Sequence, residues 1–382
     1  MTDQDLSTGE SAIYDRQIRL WGSNAQLRIK SSTILVIGLT KTSTEIAKNT
    51  VLAGANLILE DERAVTEATR NFLIDLEIAD PSGMSVGEAT ATAARRLNEH
   101  PRVTCMTSAV ARSEKTLSSL QAVLCSLQYL CTDVEEALRL SRACRMHGVG
   151  FFLLFDSAAA SWMFSDFGKT HVVESHTAPL KRDERTGERK AESRVQEFEF
   201  VGLESLISSD IESNLAHPKP SFPKHEILFV RFLLEWLHQS HAEPSPKRTR
   251  RSTGSVKAGQ ESFRAYVESR VFSLSESGGR IGKFFSSSSA ELVSAVIAKH
   301  EIMHDEVQPH VAAIHGALVS QEIIKFVTKR DVPLVNQIVI NPSDCGAIVI
   351  RTPFSLSSKV TGGDDEEDDE IEVVNGNSVV DL

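Results

Sequence analysis

Short apolar runs alternate with helical repeats along the first half of the chain. Thr33–Ile37 is a continuous apolar run, residues from Ile46 to Val51 repeat at helical spacing, and Leu57–Leu59 is a second apolar run. A buried strand, a helix and another buried strand make a βαβ unit, which builds parallel sheet. Similar patterns predict helices near 89–97 and 133–147 and strands near 103–106, 122–127 and 149–155. The pattern predicts an α/β fold with a Rossmann-like, doubly wound sheet.

The pattern changes after residue 175. A charged stretch is followed by a predicted helix and then by a Pro, Ser and basic stretch, which together indicate an insertion. Helical spacing returns at 311–327, and two last strands are predicted at 337–340 and 347–350. We expect residues 1–175 and 301–354 to form one domain, 176–300 to be a partly helical insertion, and 355–382 to be a disordered acidic tail.

The N-terminal segment predicts a short helix over residues 12–21, with Ser11 as its N-cap and Gly22 as its end. A second short helix is predicted near residues 24–30. The first helix has two distinct faces, with Tyr14, Ile18 and Trp21 on one and Arg16 and Arg19 on the other. An amphipathic helix with an aromatic face is suited to docking against another surface.

The first predicted strand ends in a degenerate nucleotide-binding pattern. Gly38 ends the strand and opens a helix, and Asp61 follows 23 residues later, where a dinucleotide fold places its ribose-binding acid. However, a GxGxxG register that starts at Gly38 has Thr40 and Ser43 in place of the second and third glycines. Side chains at these positions occupy space that phosphates need. We therefore predict a Rossmann-like fold without a working nucleotide site of its own.

Composition and charge narrow the classes of protein to which the chain can belong. The net charge is −11, and residues 355–382 supply −8 of it with nine acidic residues against one lysine. No basic stripe predicts a nucleic-acid partner, and no apolar run approaches the roughly 18 residues of a membrane span. The N-terminus has no apolar secretory segment. We expect a cytosolic or nuclear protein with no nucleic-acid or membrane partner.

Known catalytic and metal-binding patterns are missing from the sequence. It contains no GxxxxGK[ST], HExxH or GxSxG motif, and its histidines lack metal-ligand spacing, so no metal site is predicted. The five cysteines, Cys105, Cys125, Cys131, Cys144 and Cys345, include no CxxC pair. Because each lies in or beside an apolar segment, we interpret them as reduced, structural thiols.

Three segments carry a resemblance to a known family. Tyr14–Gly22 (YDRQIRLWG) resembles the N-terminal helix of the ubiquitin-like-protein activating enzymes, whose adenylation domains are of the ThiF/MoeB type. The similarity continues through Ile34–Gly54, to Asp61, and reappears at Ala317–Arg330, so that it covers roughly half of the chain in the family's order. The resemblance implies an adenylation-type fold.

The family contains active halves, which bind ATP and magnesium, and inactive halves, which keep the architecture. Active halves have an intact glycine loop and an Asp-Asn pair after the fourth strand, whereas Leu127–Leu130 stands there in this chain. The resemblance thus implies an inactive half, similar in length to the smaller subunits of SUMO-activating enzymes. A scaffold subunit of the neddylation type and a free-standing nucleotide-binding Rossmann protein are the alternatives.

The same resemblance implies a division of roles between two chains. ATP, magnesium and the thioester-forming cysteine belong to a larger catalytic subunit, and a conjugating enzyme is reached through that subunit. Arg16 is implied to contact the partner's ATP in trans, although a simple ion pair with a carboxylate is the alternative role. The helix residues implied at the partner interface are Tyr14, Arg16, Gln17, Arg19 and Trp21.

Two short segments outside the domain suggest further roles. Ile371, Glu372, Val373 and Val374 follow seven consecutive acidic residues, a pattern typical of a SUMO-interacting motif that adds a strand to a sheet edge. Lys247–Arg251 is a basic stretch that is typical either of a nuclear localisation signal or of a solvated loop. We predict a nuclear protein, with cytoplasmic residence as an alternative.

Overall fold

The computed structural model describes residues 6–130, 133–175, 181–182, 189–190, 193–209, 224–242, 253–334, 336–350, 355–361 and 379–381. The helices are α1 Thr8–Ile13, α2 Asp15–Trp21, α3 Ser23–Ser31, α4 Lys41–Ala53, α5 Phe72–Glu77, α6 Val86–Leu97, α7 Ser108–Ala111, α8 Glu114–Leu117, α9 Val134–His147, α10 Leu203–Ser208, α11 Lys224–Ala242, α12 Thr253–Glu276, α13 Gly279–Glu301 and α14 Pro309–Thr328. The strands are β1 Thr33–Ile37, β2 Asn56–Glu60, β3 Val103–Cys105, β4 Ala122–Ser126, β5 Gly150–Asp156, β6 Ser161–Asp166, β7 His171–Ser175, β8 Lys181–Arg182, β9 Arg189–Lys190, β10 Ser193–Glu199, β11 Gln337–Ile340, β12 Ala347–Ile350, β13 Ser355–Thr361 and β14 Val379–Asp381.

A nine-stranded sheet organises the molecule, in the order β14-β12-β11-β6-β5-β4-β1-β2-β3. Strands β1 to β5 pair in parallel, and β6, β11, β12 and β14 continue the sheet in antiparallel fashion. Leu35 of β1 lies beside Ile58 of β2 and Val123 of β4. The chain order reverses between β1 and β4, where doubly wound sheets place ligands at the carboxyl ends of their strands. The predicted α/β fold class is confirmed.

Both faces of the sheet are covered, which explains its continuous apolar strands. Leu35 and Ile37 point into one core cluster, which includes residues of α9 and of α11 to α13. Ile34 and Val36 point into the other, which includes residues of α4, α6 and α14. This alternation follows from the two-residue period of a strand. The side chains of all four residues are therefore buried.

The predicted insertion packs against the main sheet. Phe229 of α11, Phe263 of α12 and Phe285 of α13 are fully buried and share a core cluster with Leu35 and Phe151 of the sheet. Helix α12 also begins within the Pro, Ser and basic stretch of the sequence. The insertion thus supplies one of the two layers that bury the sheet.

The N-terminal helix begins earlier than its sequence pattern indicates. Ser7 caps α1 through a capping box with Glu10, so Ser11 lies within a helix and is not its N-cap. Tyr14 interrupts the helical path with φ −95° and ψ 14°, and α2 follows it up to the C-cap Gly22. The predicted single helix is therefore two helices, because a stronger capping pair lies upstream.

The C-terminal segment also differs from its prediction as a disordered tail. Residues 355–361 form β13, which pairs with β10, and residues 379–381 form β14, which pairs with β12 at the edge of the central sheet. The polar composition of these segments gives no strand pattern in the sequence. They form strands because their backbones pair with strands that are distant in sequence. The residues from Ile371 to Val374 and Lys247–Arg251 lie outside the described residues.

Helix α14 is long and apolar enough, by length and composition, to cross a membrane. However, 61% of its most apolar window is buried within the molecule. Gly316 permits its close approach to α4, since a Cβ there would come 2.6 Å from the Glu45 Cβ. The helix has the packing of a core helix in a globular protein.

Candidate functional site

The region around Gly38 is the candidate site that the topology selects. Gly38 follows β1 with φ +81°, and α4 begins three residues later. In a nucleotide-binding fold, the backbone N–H groups of this loop and of the helix N-terminus contact phosphates. The contacts of three side-chain groups decide whether the same can happen here.

The N-terminus of α4 is capped by its own side chains. The Thr40 hydroxyl accepts a hydrogen bond from the Ser43 N–H (3.3 Å), and the Ser43 hydroxyl accepts one from the Thr40 N–H (2.7 Å). The Ser43 hydroxyl also donates to the Gly38 carbonyl at 2.7 Å. The two residues that replace glycines thus form a capping box, which satisfies N–H groups that a phosphate would otherwise bind.

Asp61 is fully buried and paired within the chain. Its carboxylate accepts hydrogen bonds from Arg63 Nε at 2.9 Å, from Arg63 Nη2 at 2.5 Å and from the Leu39 N–H at 2.9 Å. These contacts are charge-assisted and occupy both carboxylate oxygens. Asp61 therefore links the loop after β1 to Arg63 from within the chain.

The ring of Tyr129 covers Gly38. A Cβ placed on Gly38 would lie 2.2 Å from the Tyr129 Cβ and 2.3 Å from its Cγ, so the tyrosine fills the space above the glycine. Arg63 lies over the same ring, 5.1 Å from its centroid, and the tyrosine hydroxyl accepts from the Glu62 N–H at 3.3 Å. Burial raises the pKa of Tyr129 to about 12, so the ring is neutral at pH 7. The tyrosine ring thus covers the loop after β1.

Arg16, unlike Asp61 and Tyr129, lies at the surface of the molecule. It is exposed on α2, and within the described part of the chain it makes no hydrogen bond or ion pair. Arg19, one turn away in sequence, is paired with Asp15 at 3.0 Å. Two exposed apolar side chains flank the region, Leu20 at 71% and Ile13 at 59%. Sequence analysis missed these two residues, which lie in α2 and α1 respectively, although exposed apolar side chains suit contact with another chain.

The structure corrects the predicted interface at its aromatic residues. Tyr14 is only 2% exposed, so its predicted role as a partner contact is wrong. Trp21 is half-buried and donates from Nε1 to the Gln26 Oε1 at 3.0 Å, and Gln17 donates to the Leu52 carbonyl at 3.4 Å. The aromatic face of the helix docks on this chain's own core. Arg16 and Arg19 remain on its exposed side.

Arg63 and Tyr129 are site residues that sequence analysis did not identify. Tyr129 lies within the Leu127–Leu130 segment, but its contact with Gly38 joins residues 91 positions apart. Arg63 lies two residues after Asp61, and this spacing of opposite charges was the available signal. Together these residues close the nucleotide loop from within the chain.

The fold and this region define a class of protein. It is an α/β protein with a Rossmann-like sheet, in which the loop after the first strand is filled by the protein itself. No family model matches the chain. Among solved structures, the chain is similar to PaaA (TM-score 0.48, 13% identity, 91% of this chain and 84% of that chain) and to E. coli MccB (TM-score 0.44, 11% identity, 88% and 70%).

Curated proteins that resemble this chain are subunits of SUMO-activating enzymes. The chain is 25% identical over 345 residues to SUMO-activating enzyme subunit 1 of Xenopus tropicalis, covering 86% of this chain and 91% of the relative. It is 26% identical over 346 residues to the Danio rerio protein of the same name (87% and 91%), and 30% identical over 210 residues to SUMO-activating enzyme subunit aos-1 of Caenorhabditis elegans (53% and 60%). The chain is thus similar, over most of its length, to proteins named SUMO-activating enzyme subunit 1.

Proposed function

We propose that this chain is the non-catalytic subunit of a heterodimeric SUMO-activating enzyme and completes the ATP site of its larger partner. The observation that carries the proposal is the setting of Arg16, an exposed arginine with no ion-pair partner in the part of the chain that the structure describes, on a helix that is docked to the core. A guanidinium is permanently charged and offers two parallel donors to a phosphate. Arg16 is therefore equipped to contact an anion on a second chain.

The reaction in this proposal is the adenylation of the C-terminal glycine of SUMO. The partner binds ATP and magnesium, and Arg16 donates to the triphosphate as charge develops on the transferred group. The closed loop around Gly38 supports this division, because Tyr129 and the Arg63–Asp61 pair cover the loop after β1, where a nucleotide-binding fold contacts phosphates. The adenylate then passes to a cysteine of the partner, and the conjugating enzyme is engaged through that subunit.

The settings of this chain's cysteines support a thioester on the partner. Burial raises the pKa of Cys144 to about 12 and that of Cys125 further, and it also raises the pKa of Cys105. A nucleophilic cysteine needs the opposite shift, since the thiolate is the reactive form. Cys131 lies outside the described residues.

Reconstitution tests this proposal. The isolated chain should show no ATP binding, and the larger subunit alone should catalyse SUMO-dependent pyrophosphate exchange poorly. Mixing the two should restore exchange and load SUMO on the larger subunit only. ATP binding by the isolated chain with micromolar affinity would instead favour the free-standing nucleotide-binding protein. Loading of the neddylation modifier in preference to SUMO would favour the other scaffold subunit.

We also propose that the C-terminal segment binds SUMO through Ile371, Val373 and Val374, on the basis of the sequence pattern. In an extended strand, Ile371 and Val373 share one face and Val374 and Glu372 the other, so two apolar side chains can enter a groove. We expect a Kd of about 1 μM, weakening with salt because the acidic run acts through long-range attraction. A peptide of residues 362–377 should shift SUMO signals along one sheet edge. Equal binding by the triple-alanine peptide would leave only the acidic run responsible.

The basic stretch Lys247–Arg251 leads us to propose a nuclear location. A fluorescent fusion should accumulate in the nucleus, and replacement of all four basic residues by alanine should disperse it. An unchanged distribution would assign the stretch to a solvated loop.

A further inference from the structure

Helix α2 is tied to α4 at its N-terminal end. The hydroxyl of Tyr14, which immediately precedes α2, accepts a hydrogen bond from Asn98 Nδ2 at 2.9 Å. The same amide group donates to the Val51 carbonyl in the last turn of α4, also at 2.9 Å. Asn98 thus uses both of its N–H donors to link the start of α2 to the end of α4.

A second tie holds the C-terminal end of α2. Trp21 Nε1 donates to Gln26 Oε1 at 3.0 Å, and Gln26 Nε2 donates to the Ala53 carbonyl at 2.9 Å. Gln26 is fully buried. Its oxygen and nitrogen are each matched to one partner, so a flipped amide would lose both hydrogen bonds.

Both ties end on the same turn of α4, where Gly54 allows close approach. Gly54 is the left-handed C-cap of α4, with φ +100°. A Cβ at this position would lie 3.0 Å from Cζ and from the hydroxyl oxygen of Tyr14, and 3.2 Å from Gln26 Nε2. The ring and the amide therefore pack directly on this backbone.

These ties matter because α2 has little stability of its own. It has seven residues, far fewer than the roughly 12 that an isolated helix needs to form in water. Its internal ion pair, Asp15 with Arg19, is exposed and contributes little. The direction in which α2 presents Arg16 is consequently decided by its contacts with α4, which lie at its two ends and at Gln17.

We propose that Tyr14, Gln26 and Asn98 are positioning residues for Arg16 in the adenylation reaction. The inference rests on the proposed function, in which Arg16 acts on the partner's ATP. A donor that stabilises a transition state must be held closely in place, and a displacement of about 1 Å can cost roughly 100-fold in rate. The three side chains hold the helix at both ends and leave Arg16 itself untouched.

Tyr14→Phe and Asn98→Ala test the inference in the reconstituted heterodimer. Tyr14→Phe keeps the ring against Gly54 and removes only the hydroxyl. For each variant, kcat and the KM for ATP are measured by pyrophosphate exchange, along with heterodimer affinity and thermal unfolding. We expect kcat to fall roughly 10-fold or more with affinity for the partner unchanged. Asn49→Ala is the matched control, because its hydrogen bond to Ser320 joins α4 to α14 and does not involve α2.

Double variants with Arg16→Ala separate positioning from simple stability. If the ties act through Arg16, adding Tyr14→Phe or Asn98→Ala to Arg16→Ala should change kcat by less than about two-fold. Losses that multiply in the double variants would overturn the inference. Full activity of folded Tyr14→Phe and Asn98→Ala, beside an impaired Arg16→Ala, would also overturn it while leaving the proposed function intact. Normal exchange by Arg16→Ala itself would reject both.

Discussion

Arg63 and Arg16 occupy opposite settings in this chain. Arg63 is matched by the buried Asp61 and lies over the Tyr129 ring, so its charge is balanced within the fold. Arg16 has no such partner in the described residues and lies at the surface of a docked helix. A charge that is matched internally contributes to stability, whereas an unmatched charge at a fixed surface position is available to a second molecule. The two regions are thus expected to fail differently when they are mutated.

The largest expected effect is on catalysis by Arg16→Ala. Removing one donor to developing charge costs about 3–4 kcal/mol, or roughly 100- to 1,000-fold in rate. We expect SUMO-dependent pyrophosphate exchange to fall by this factor while the heterodimer still forms. Arg102→Ala is the control, since Arg102 is an exposed arginine that lies outside α2. Equal losses in the two variants would indicate a general effect of charge.

Tyr129→Ala should lower the stability of the fold and leave catalysis nearly unchanged. Truncating a fully buried aromatic ring costs about 3–5 kcal/mol, and Tyr129 is half-buried, so we expect the free energy of unfolding to fall by about 2 kcal/mol. Adenylation by the heterodimer should stay within about two-fold of normal. Chemical denaturation and pyrophosphate exchange measure the two quantities, with Tyr129→Phe as the milder control. A large loss of exchange with little loss of stability would break the contrast between the two regions.

Buried His171 should make the stability of the fold depend on pH. Burial lowers its pKa to about 4, and the charge of Lys329 acts in the same direction. Between pH 6.5 and pH 4 the unfolded chain binds this proton and the folded chain does not, so stability falls as the pH decreases. At pH 5 we expect a loss of about 1–2 kcal/mol. Denaturation at pH 7 and pH 5 should show a smaller difference for His171→Gln, and an undiminished one for the exposed His310→Gln.

The smallest expected effect is that of replacing the cysteines. With Cys105, Cys131 and Cys345 changed to serine, and Cys125 and Cys144 to alanine, the heterodimer should load SUMO on the larger subunit at the normal rate. Gel assays with and without reducing agent measure that loading. A single substitution that abolishes transfer in a folded heterodimer would assign the thioester to this chain.

Local patterns predicted the regular elements well. The strands at 337–340 and 347–350 match β11 and β12, and the helix at 133–147 differs from α9 by one residue. Strand and helix periods are properties of neighbouring residues, so they can be recognised without a fold. Helices α12 and α13 were missed because the Pro, Ser and basic stretch before them and the serine run at 286–289 weaken that period. Packing against the sheet stabilises them instead.

The sequence by itself determined the α/β class, the loss of the glycine loop and the candidate role of Arg16. Only the tertiary structure decided that Tyr129 fills the space over Gly38 and that Asn98 anchors Tyr14. Tyr14 was misassigned to an interface for the same reason, since a helix has an apolar face whether it docks on its own chain or on another. Periodicity depends on residues a few positions apart, whereas these contacts join residues 91 and 84 positions apart that meet only when the sheet has formed.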